Sequence, residues 1–411
     1  MGRERFADSL ALFERARAVI PAGVYGHQTP AFLVEGAYPI FLSQAKGCRI
    51  RDPDGHEYID MVCAYGPMVV GYGNPAVEKA AARQRELCDS MNLPAPVMVE
   101  LAERLVSLTP GADWAMFAKN GSDVCSWSLA VAREATGRNL VAMVKHSYHG
   151  VHGWCNQLHA GFPQSERSLV LEFSWNDLAS LERLFAEHRG RIAAVIVTPF
   201  RHEAFEPSVM AAPGFIEGIR EACSREGAAM IVDDVRGGFR LHMGGSTQLR
   251  GVSPDLLLYS KALANGYPLA AMLGNNGLKD AARSVFVTGT FFTQAVPLAA
   301  ALATIDELER LNAVDHMEAM GRRLCRGLEE RAQAAGIGVT ISGPPAIPFM
   351  TFDEDEGGFE RSRVFAAACL KAGTFLHPVH NWFVSAAHQD EDIDQVLKAA
   401  DEGFAAVSGE F

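Results

Sequence analysis

No two cysteines in this 411-residue chain stand as a Cys-x-x-Cys pair. The eight of them (Cys48, Cys63, Cys88, Cys125, Cys155, Cys223, Cys325 and Cys369) are scattered along it. That spacing argues against a zinc site or a disulfide framework and for free thiols in a reducing cytosol. Positive charge is also short: 37 Lys and Arg face 49 Asp and Glu, a net charge of −12. Phosphate backbones and anionic membranes are held by clustered Lys and Arg, so no nucleic-acid or membrane partner is expected. The one short basic stretch, Arg322, Arg323 and Arg326, reads as the solvated face of a helix. No run reaches the ~18 apolar residues of a membrane span. Met1-Gly2-Arg3-Glu4-Arg5 leads into no signal-sequence core, and Phe6 stands where a myristoylation motif needs Ser or Thr. Internal repeats and low-complexity tracts are also missing. The expectation is a soluble, cytoplasmic protein.

What is present is ordinary globular material. Apolar residues make up 48% and charged residues 21%, enough to build a sizeable core without staples. At roughly 150 residues per domain the length suggests two to three domains. The middle of the chain alternates short apolar runs with helical patterns. Strands are predicted at Trp114–Ala118, Leu140–Val144, Leu169–Phe173, Ala193–Val197, Ala228–Val232, Leu256–Tyr259 and Leu269–Leu273. Helices are predicted at Asp177–His188 and Pro213–Glu226. In the second helix Phe215, Ile216, Ile219, Ala222 and Cys223 share a face, and Gly227 sits where a cap belongs. Near-continuous apolar strands alternating with helices mean an α/β fold with a mostly parallel sheet covered on both faces.

The two ends read differently. A first helix carries Leu10, Phe13, Ala16 and Val19 on one face, and Gly47–Gly55 looks like two strands around a Pro-Asp-Gly turn. From about residue 311 come a long helix, strands near Val339–Ile341 and Phe349–Phe352, a helix at Arg361–Ala372, a strand near Phe383–Ser385 and a last helix from Asp390. The expected organisation is a large central domain over residues 66–310. A smaller α+β domain is then assembled from residues 1–65 and 311–411.

Four features fall at the carboxyl ends of central strands, where open parallel sheets bind ligands. Lys119-Asn120-Gly121-Ser122-Asp123 leaves backbone N–H groups free at a helix start, which suits a phosphate; the alternative is an ordinary N-cap. In Ser147-Tyr148-His149-Gly150 the Tyr148 ring suits a flat heteroaromatic cofactor, or else it is a core tyrosine. Ile231-Val232-Asp233-Asp234-Val235 ends a buried strand on two carboxylates that point to opposite faces, so only one can serve a given site. Asp233 beside a protonated pyridinium would be a charge-assisted pair; capping or loop carboxylates are the alternative. No Asp/His cluster converges at metal-binding spacing. In Ser260-Lys261-Ala262-Leu263-Ala264-Asn265-Gly266 a lysine follows an apolar strand. Desolvated, it would form a Schiff base with an aldehyde; alone, it would be a surface lysine in a turn.

Together these motifs resemble the fold-type-I, pyridoxal-phosphate-dependent class III aminotransferases, with the nearest look to glutamate-1-semialdehyde 2,1-aminomutase. The resemblance covers nearly the whole chain. Pro21-Ala22-Gly23-Val24 and Gly47–Asp60 match the N-terminal segment, and Ser385-Ala386-Ala387-His388 with Asp390-Glu391-Asp392-Ile393 the C-terminal one. It implies pyridoxal 5′-phosphate as cofactor, held covalently by Lys261, which is also the base that moves the substrate proton. It implies Asp233 as partner of the pyridine nitrogen, and Tyr148 and Val235 on the two faces of the ring. Asn120, Gly121 and Ser122 match the phosphate turn, and His149 joins the cofactor site. His202 would meet the phenolic oxygen. Thr290, in Gly289-Thr290-Phe291-Phe292, matches a threonine that reaches the neighbouring subunit's cofactor phosphate, which implies a homodimer.

The departures from the aminomutase pattern bear on substrate. Tyr25-Gly26-His27-Gln28-Thr29-Pro30 holds no arginine where the aminomutase has one for the substrate carboxylate. Tyr65 replaces a tryptophan, and Thr198-Pro199 replaces Glu-Pro. The segment after Gly150 is shorter than the mutase's gating loop and carries Trp154 and His159. His377-Pro378-Val379-His380-Asn381-Trp382 stands where a glutamate is expected. Tyr25, Tyr65 and His380 are therefore the candidate substrate residues, with His27 and His377 lining a polar pocket. Arg201 or Arg236 would be an anchor from another direction. The expected function is an aminotransferase moving an amino group from an amine donor to a ketone or aldehyde acceptor, in biosynthesis, by ping-pong Schiff-base chemistry. The alternative is an aminomutase or epimerase, with His149 or Tyr65 as a second proton donor. A non-catalytic binding protein on the same scaffold is opposed by the intact Lys261 and Asp233.

Overall fold

The computed structural model describes residues 5–411 except His159, Ala204 and Glu356. Met1–Glu4 and His159, read above as a charged terminus and as part of the shortened loop, lie outside the described residues. Two compact units emerge: Met1–Asn74 with Ala204–Ser208 and Leu311–Phe411, and Pro75–Glu203 with Val209–Arg310.

The second unit is built on a seven-stranded sheet. In chain order its strands are β1 (Trp114–Ala118), β2 (Leu140–Val144), β3 (Val170–Phe173), β4 (Ile192–Val197), β5 (Ala229–Asp233), β6 (Leu256–Tyr259) and β7 (Ala270–Gly274). Their order across the sheet is β1-β7-β6-β5-β4-β2-β3. Only β7 runs against its neighbours, β6 and β1; the remaining pairs are parallel. Every residue of β2, β4, β5, β6 and β7 is buried, whereas β3 at the edge is mostly half-exposed. That is why the central strands read as unbroken apolar runs.

Helices pack by the faces that the sequence marks. Helix α1 (Gly121–Thr136) follows β1, and it buries Val124, Cys125, Ser128, Leu129, Val131 and Ala132. Helix α2 (Leu178–Glu187) is capped by Asp177, whose side chain accepts from the Ser180 N–H at 3.0 Å. Helix α3 (Phe215–Glu226) buries the five expected residues, and Gly227 ends it at φ +62. Each fully buried aliphatic side chain here stabilises the unit by roughly 1.5–3 kcal/mol relative to exposure.

The first unit holds a sheet of Gln44–Lys46, Arg49–Arg51, Glu57–Asp60 and Thr374–Phe375. Arg49–Arg51 pairs antiparallel with Glu57–Asp60 around the Pro53–Gly55 turn. Helices Ala313–Ala334, Glu360–Lys371 and Asp390–Glu410 complete it, with Phe352, Phe365 and Phe404 in mutual ring contact in the core. Its N-terminal segment continues past residue 65 to Asn74. Gly47 and Tyr72 exchange backbone hydrogen bonds at 2.8–2.9 Å, and the Tyr72 hydroxyl donates to Asp60 at 2.7 Å.

Two local expectations are corrected. Phe383–Ser385 is not a strand. The Phe383 N–H donates to Met61 O and the Val384 N–H to Ala346 O, so the segment bonds to two different neighbours and builds no ladder. On the first helix, Ala7–Val19, Ala16 is buried but Val19 is 81% exposed. The helix is tied down by Ser9 instead: its hydroxyl accepts from the Ile40 and Phe41 N–H groups, and Asp54 caps the Asp8 and Ser9 N–H groups.

Candidate active site

Beyond the carboxyl ends of β1, β2, β4, β5 and β6 lies a cavity of about 250 Å³. It is lined by Asn120, Gly121, Ser122, Tyr148, His149, His202, Asp233, Val235 and Lys261, so the sequence-predicted cofactor residues other than Thr290 converge on one space. Cys125, Gly150, Arg236 and Ser260 line it as well.

The turn expected to hold a phosphate is the start of α1. Asn120 and Asp123 form a reciprocal capping box, which leaves other first-turn N–H groups to face a ligand. Two glycines keep the turn open. A Cβ on Gly121 would stand 3.1 Å from the nearer Val235 methyl, and one on Gly150, at φ +115, would stand 2.4 Å from Ser122 Oγ. Gly121→Ala should therefore weaken pyridoxal-phosphate binding roughly tenfold, through overpacking against Val235. Equilibrium titration of cofactor-free protein measures this; unchanged affinity would show that Val235 yields freely.

At the end of β5 the two carboxylates part. Asp234 turns away and is held by the Ser246 N–H and hydroxyl at 2.7 and 2.6 Å. Burial pushes its carboxyl up to about 7, against the Ser246 hydrogen bonds. Asp233 turns into the cavity. Its Oδ2 accepts from His149 Nδ1–H at 2.8 Å and from the Cys125 thiol at 3.4 Å, and its Oδ1 from the Val235 N–H at 3.2 Å. His149 is fully enclosed, with Trp154 parallel to it at 6.3 Å, and its Nε2 is buried without a hydrogen-bond partner among the described residues.

Lys261 follows β6 and opens a short helical turn with φ +46. A side chain in this left-handed region costs about 1–2 kcal/mol, a strain typical of functional positions. Burial pushes its amine down to about 7; the Arg236 and Arg240 charges push the same way, and Asp233 opposes them. His202 is likewise driven well below its usual value, by burial and then by the Arg236 and Lys261 charges, so it is a neutral imidazole.

The sign for Lys261 follows directly. Above about pH 7 the amine is neutral and nucleophilic; below it, protonated and inert. The rate at which cofactor-free protein captures a simple aldehyde, trapped by borohydride, should rise through pH 7 and then level off. A rise only near the ordinary lysine value would contradict this. Between about pH 7 and 10.5 the unfolded chain also binds more protons than the folded one, so this group's contribution to stability grows with pH across that window.

Arg236 is a partly buried cavity residue whose pKa falls to about 10 through burial, against the attraction of Glu203. Arg201 pairs with Glu203 at 3.4 Å, and the Ser147 hydroxyl donates to Glu203 at 3.3 Å. Neither Glu203 nor the Cys125–Asp233 contact is foreseen in the sequence. For Cys125 a signal exists: it stands four residues after Gly121 on the same helix, hence on the same face.

Thr290 is exposed and does not line this cavity. Tyr25, Tyr65 and His380 belong to the first unit. Tyr25 is 74% exposed. Tyr65 meets the rings of His27, His380 and His377 at 4.5, 5.3 and 5.9 Å, and its hydroxyl donates to His27 O at 2.9 Å. Burial pushes His377 down to about 4, and its Nδ1 accepts from the Val379 N–H, so it is neutral. The cluster is built on Cys63, Ala64 and Tyr65, all at positive φ (51, 53 and 65), with Asp60 accepting from the Val62 and Cys63 N–H groups.

These residues fit pyridoxal phosphate. A glycine-kept helix start would take the phosphate, a lysine that becomes neutral above about pH 7 would take the aldehyde, and a buried carboxylate would take the pyridine nitrogen. The buried Nε2 of His149 fits a polar ligand. When bound, the cofactor supplies an aldehyde that takes up an amino group and a ring that accepts the electrons released at the substrate carbon.

Comparison with known proteins gives the same answer. Residues 33–400 match the family model for class-III aminotransferases. The chain is 44% identical to an aminopentol aminotransferase of Sphingopyxis macrogoltabida, over 97% of this chain and 94% of that one. It is 35% identical to a 3-aminobutyryl-CoA aminotransferase of Cloacimonas acidaminovorans, over 98% of each. To a glutamate-1-semialdehyde 2,1-aminomutase of Syntrophobacter fumaroxidans it is 31% identical, over 99% of each. The solved structure of the FumI protein of Sphingopyxis sp. MTA144, in its PLP internal aldimine form, superposes with a TM-score of 0.95 at 43% identity, covering 98% of this chain and 96% of that one. The aminotransferases are thus more similar than the aminomutase, and the isomerase alternative gains no support.

Proposed function

Because the chain belongs to the class-III aminotransferase family and is a pyridoxal-phosphate-dependent aminotransferase, we propose that it works by a two-step ping-pong cycle on a hydroxyl-bearing substrate without a carboxylate. In the first step an amine donor gives up its amino group; in the second a ketone or aldehyde takes it. The observation that carries the reading is the convergence of Lys261, Asp233 and the Asn120–Ser122 turn on one cavity.

Each residue then has a defined task. The Asn120–Ser122 turn binds the phosphate with backbone N–H groups. Tyr148 and Val235 hold the ring between them, and neutral His202 meets the phenolic oxygen. Asp233 keeps a proton on the pyridine nitrogen. With the cofactor bound, Lys261 Nζ would take the proton from the substrate carbon that bears nitrogen and deliver it two bonds away, to the cofactor carbon on the other side of that nitrogen. General-base contributions of this kind are worth on the order of 10²–10⁴-fold.

The substrate class rests on the first unit's ring cluster. Tyr65 and His380, with His27 and His377 beside them, offer hydrogen-bonding groups suited to alcohols; Tyr25 is an exposed further contact. The relative named for aminopentol supports an amino alcohol or its oxo counterpart. Initial rates with donor and acceptor both varied should give parallel double-reciprocal lines, and an amino alcohol should exceed an α-amino acid in kcat/KM. Intersecting lines contradict the cycle; a reversed preference contradicts the substrate class.

The same reading makes the enzyme a homodimer, with Thr290 reaching the neighbouring subunit's cofactor phosphate. Phe286 and Phe291 on that loop are 90% and 55% exposed, as side chains awaiting a cover would be. Sedimentation that finds only monomer would overturn it. A reducing, cytoplasmic setting suits eight unpaired cysteines, and no helix among the described residues is long and apolar enough to cross a membrane.

A further inference from the structure

Cys125 is 1% exposed and sits on the inner face of α1, one turn beyond the phosphate-binding start. Its Sγ lies 3.4 Å from Asp233 Oδ2, the oxygen that also accepts from His149 Nδ1–H at 2.8 Å. The Val235 N–H completes the set on Oδ1. The donors come from three places: α1, the loop after β2, and the loop after β5. Together they determine how the carboxylate is turned.

We propose that Cys125 is a positioning residue for Asp233: its thiol is a hydrogen-bond donor that orients the carboxylate toward the cofactor's pyridine nitrogen.

Three properties of the site suit a thiol there. The first is protonation. Burial and the Asp233 charge drive the Cys125 thiol well above its usual value, so it stays an S–H donor and does not become a second anion. The second is packing. Cys125 belongs to the apolar cluster under the sheet, with Leu129, Val141, Ile231 and Leu258. A buried cysteine packs there as a small hydrophobe while offering a weak donor on one side. The third is direction. The thiol is directed at Asp233 Oδ2, whereas a valine has no donor at all.

The two obvious substitutions therefore separate donation from packing. Cys125→Val keeps an apolar, compact side chain and loses the donor. Cys125→Ser keeps a donor and loses apolar volume. If the thiol orients Asp233, C125V should weaken pyridoxal-phosphate affinity about fivefold, the size of an ordinary net hydrogen bond, and C125S should stay closer to the parent. The visible band of the bound cofactor should move in its pH dependence for C125V and not for C125S. If Cys125 only fills space, the order reverses: C125V behaves as the parent and C125S is impaired, which overturns the proposal. Thermal melts of the cofactor-free variants show whether a loss comes from folding.

The inference rests on Asp233 being the pyridine partner, and Asp233→Asn, measured in parallel, tests that separately. If D233N is impaired and C125V is normal, only the role of Cys125 fails. If D233N is normal, the reading of Asp233 fails and that of Cys125 with it.

Discussion

Lys261→Ala should lower turnover by on the order of 10³–10⁴-fold, the upper part of what a positioned general base supplies. The same change should remove the covalent link to the cofactor: borohydride should fix no cofactor on the protein, and the visible absorption of the linked form should vanish. Cofactor should still bind, because the phosphate turn at the start of α1, the Val235 and Tyr148 contacts and Asp233 are untouched. Losing the amine also frees Arg236 and Arg240 of a like charge, so the cofactor-free variant should be more stable than the parent at pH 6. That advantage should shrink as the pH rises toward 10.5, where the parent lysine is neutral in the fold and half-neutral in the unfolded chain. Full turnover in the variant would remove Lys261 from the chemistry. Loss of all cofactor binding would instead show that the phosphate turn cannot hold the group unaided.

Asp233→Asn should be nearly as damaging, by roughly 10²–10³-fold, the range for removing one preorganised electrostatic partner. The substitution is isosteric, so the cost is electronic and not steric. An amide cannot hold the pyridine nitrogen protonated, and the ring then accepts electrons poorly. It also disturbs its own surroundings. The carboxylate accepts from Cys125, His149 and Val235, whereas an asparagine offers one acceptor oxygen and turns an NH₂ toward a donor. Stopped-flow absorbance of the donor step alone isolates this effect from acceptor binding. A donor step as fast as the parent's would show that the pyridine nitrogen does not need its proton here.

The central sheet is legible because its inner strands are covered on both faces. Ile192–Val197 and Leu256–Tyr259 are apolar at every position and stop where the chain turns polar. The polar stops carry the site: Asp233 is the last residue of its strand, and Lys261 follows Ser260 beyond another. Patterns fail where hydrogen-bond partners are distant in sequence. Phe383–Ser385 is as apolar as a strand, yet its N–H groups go to Met61 and Ala346, which no local pattern announces. The first helix shows the same limit, for its anchor is the polar Ser9 and not its apolar face.

Within the cavity, the lining residues proposed for the cofactor are legible and their supports are not. Cys125 reads as one more core thiol until β5 brings a carboxylate beside it. Glu203 reads as a loop acid until Arg201 and Ser147 close on it. Cys63 and Ala64 give no glycine signal for the left-handed turn that presents Tyr65, because Asp60 imposes that turn through hydrogen bonds. Substrate recognition depends on such turns and loops, whereas the cofactor machinery sits on rigid strand ends.

The most direct test of the aminotransferase cycle uses the cofactor-loaded protein with one substrate at a time. The protein is mixed separately with amino alcohols, glutamate, alanine and diamines, with no oxo acceptor present, and its visible absorbance is followed. The account predicts that one amine class bleaches the Lys261-linked band completely and stoichiometrically, and that adding a ketone or aldehyde restores it. A band that survives every amine, while a single substrate is isomerised without any acceptor, would contradict it.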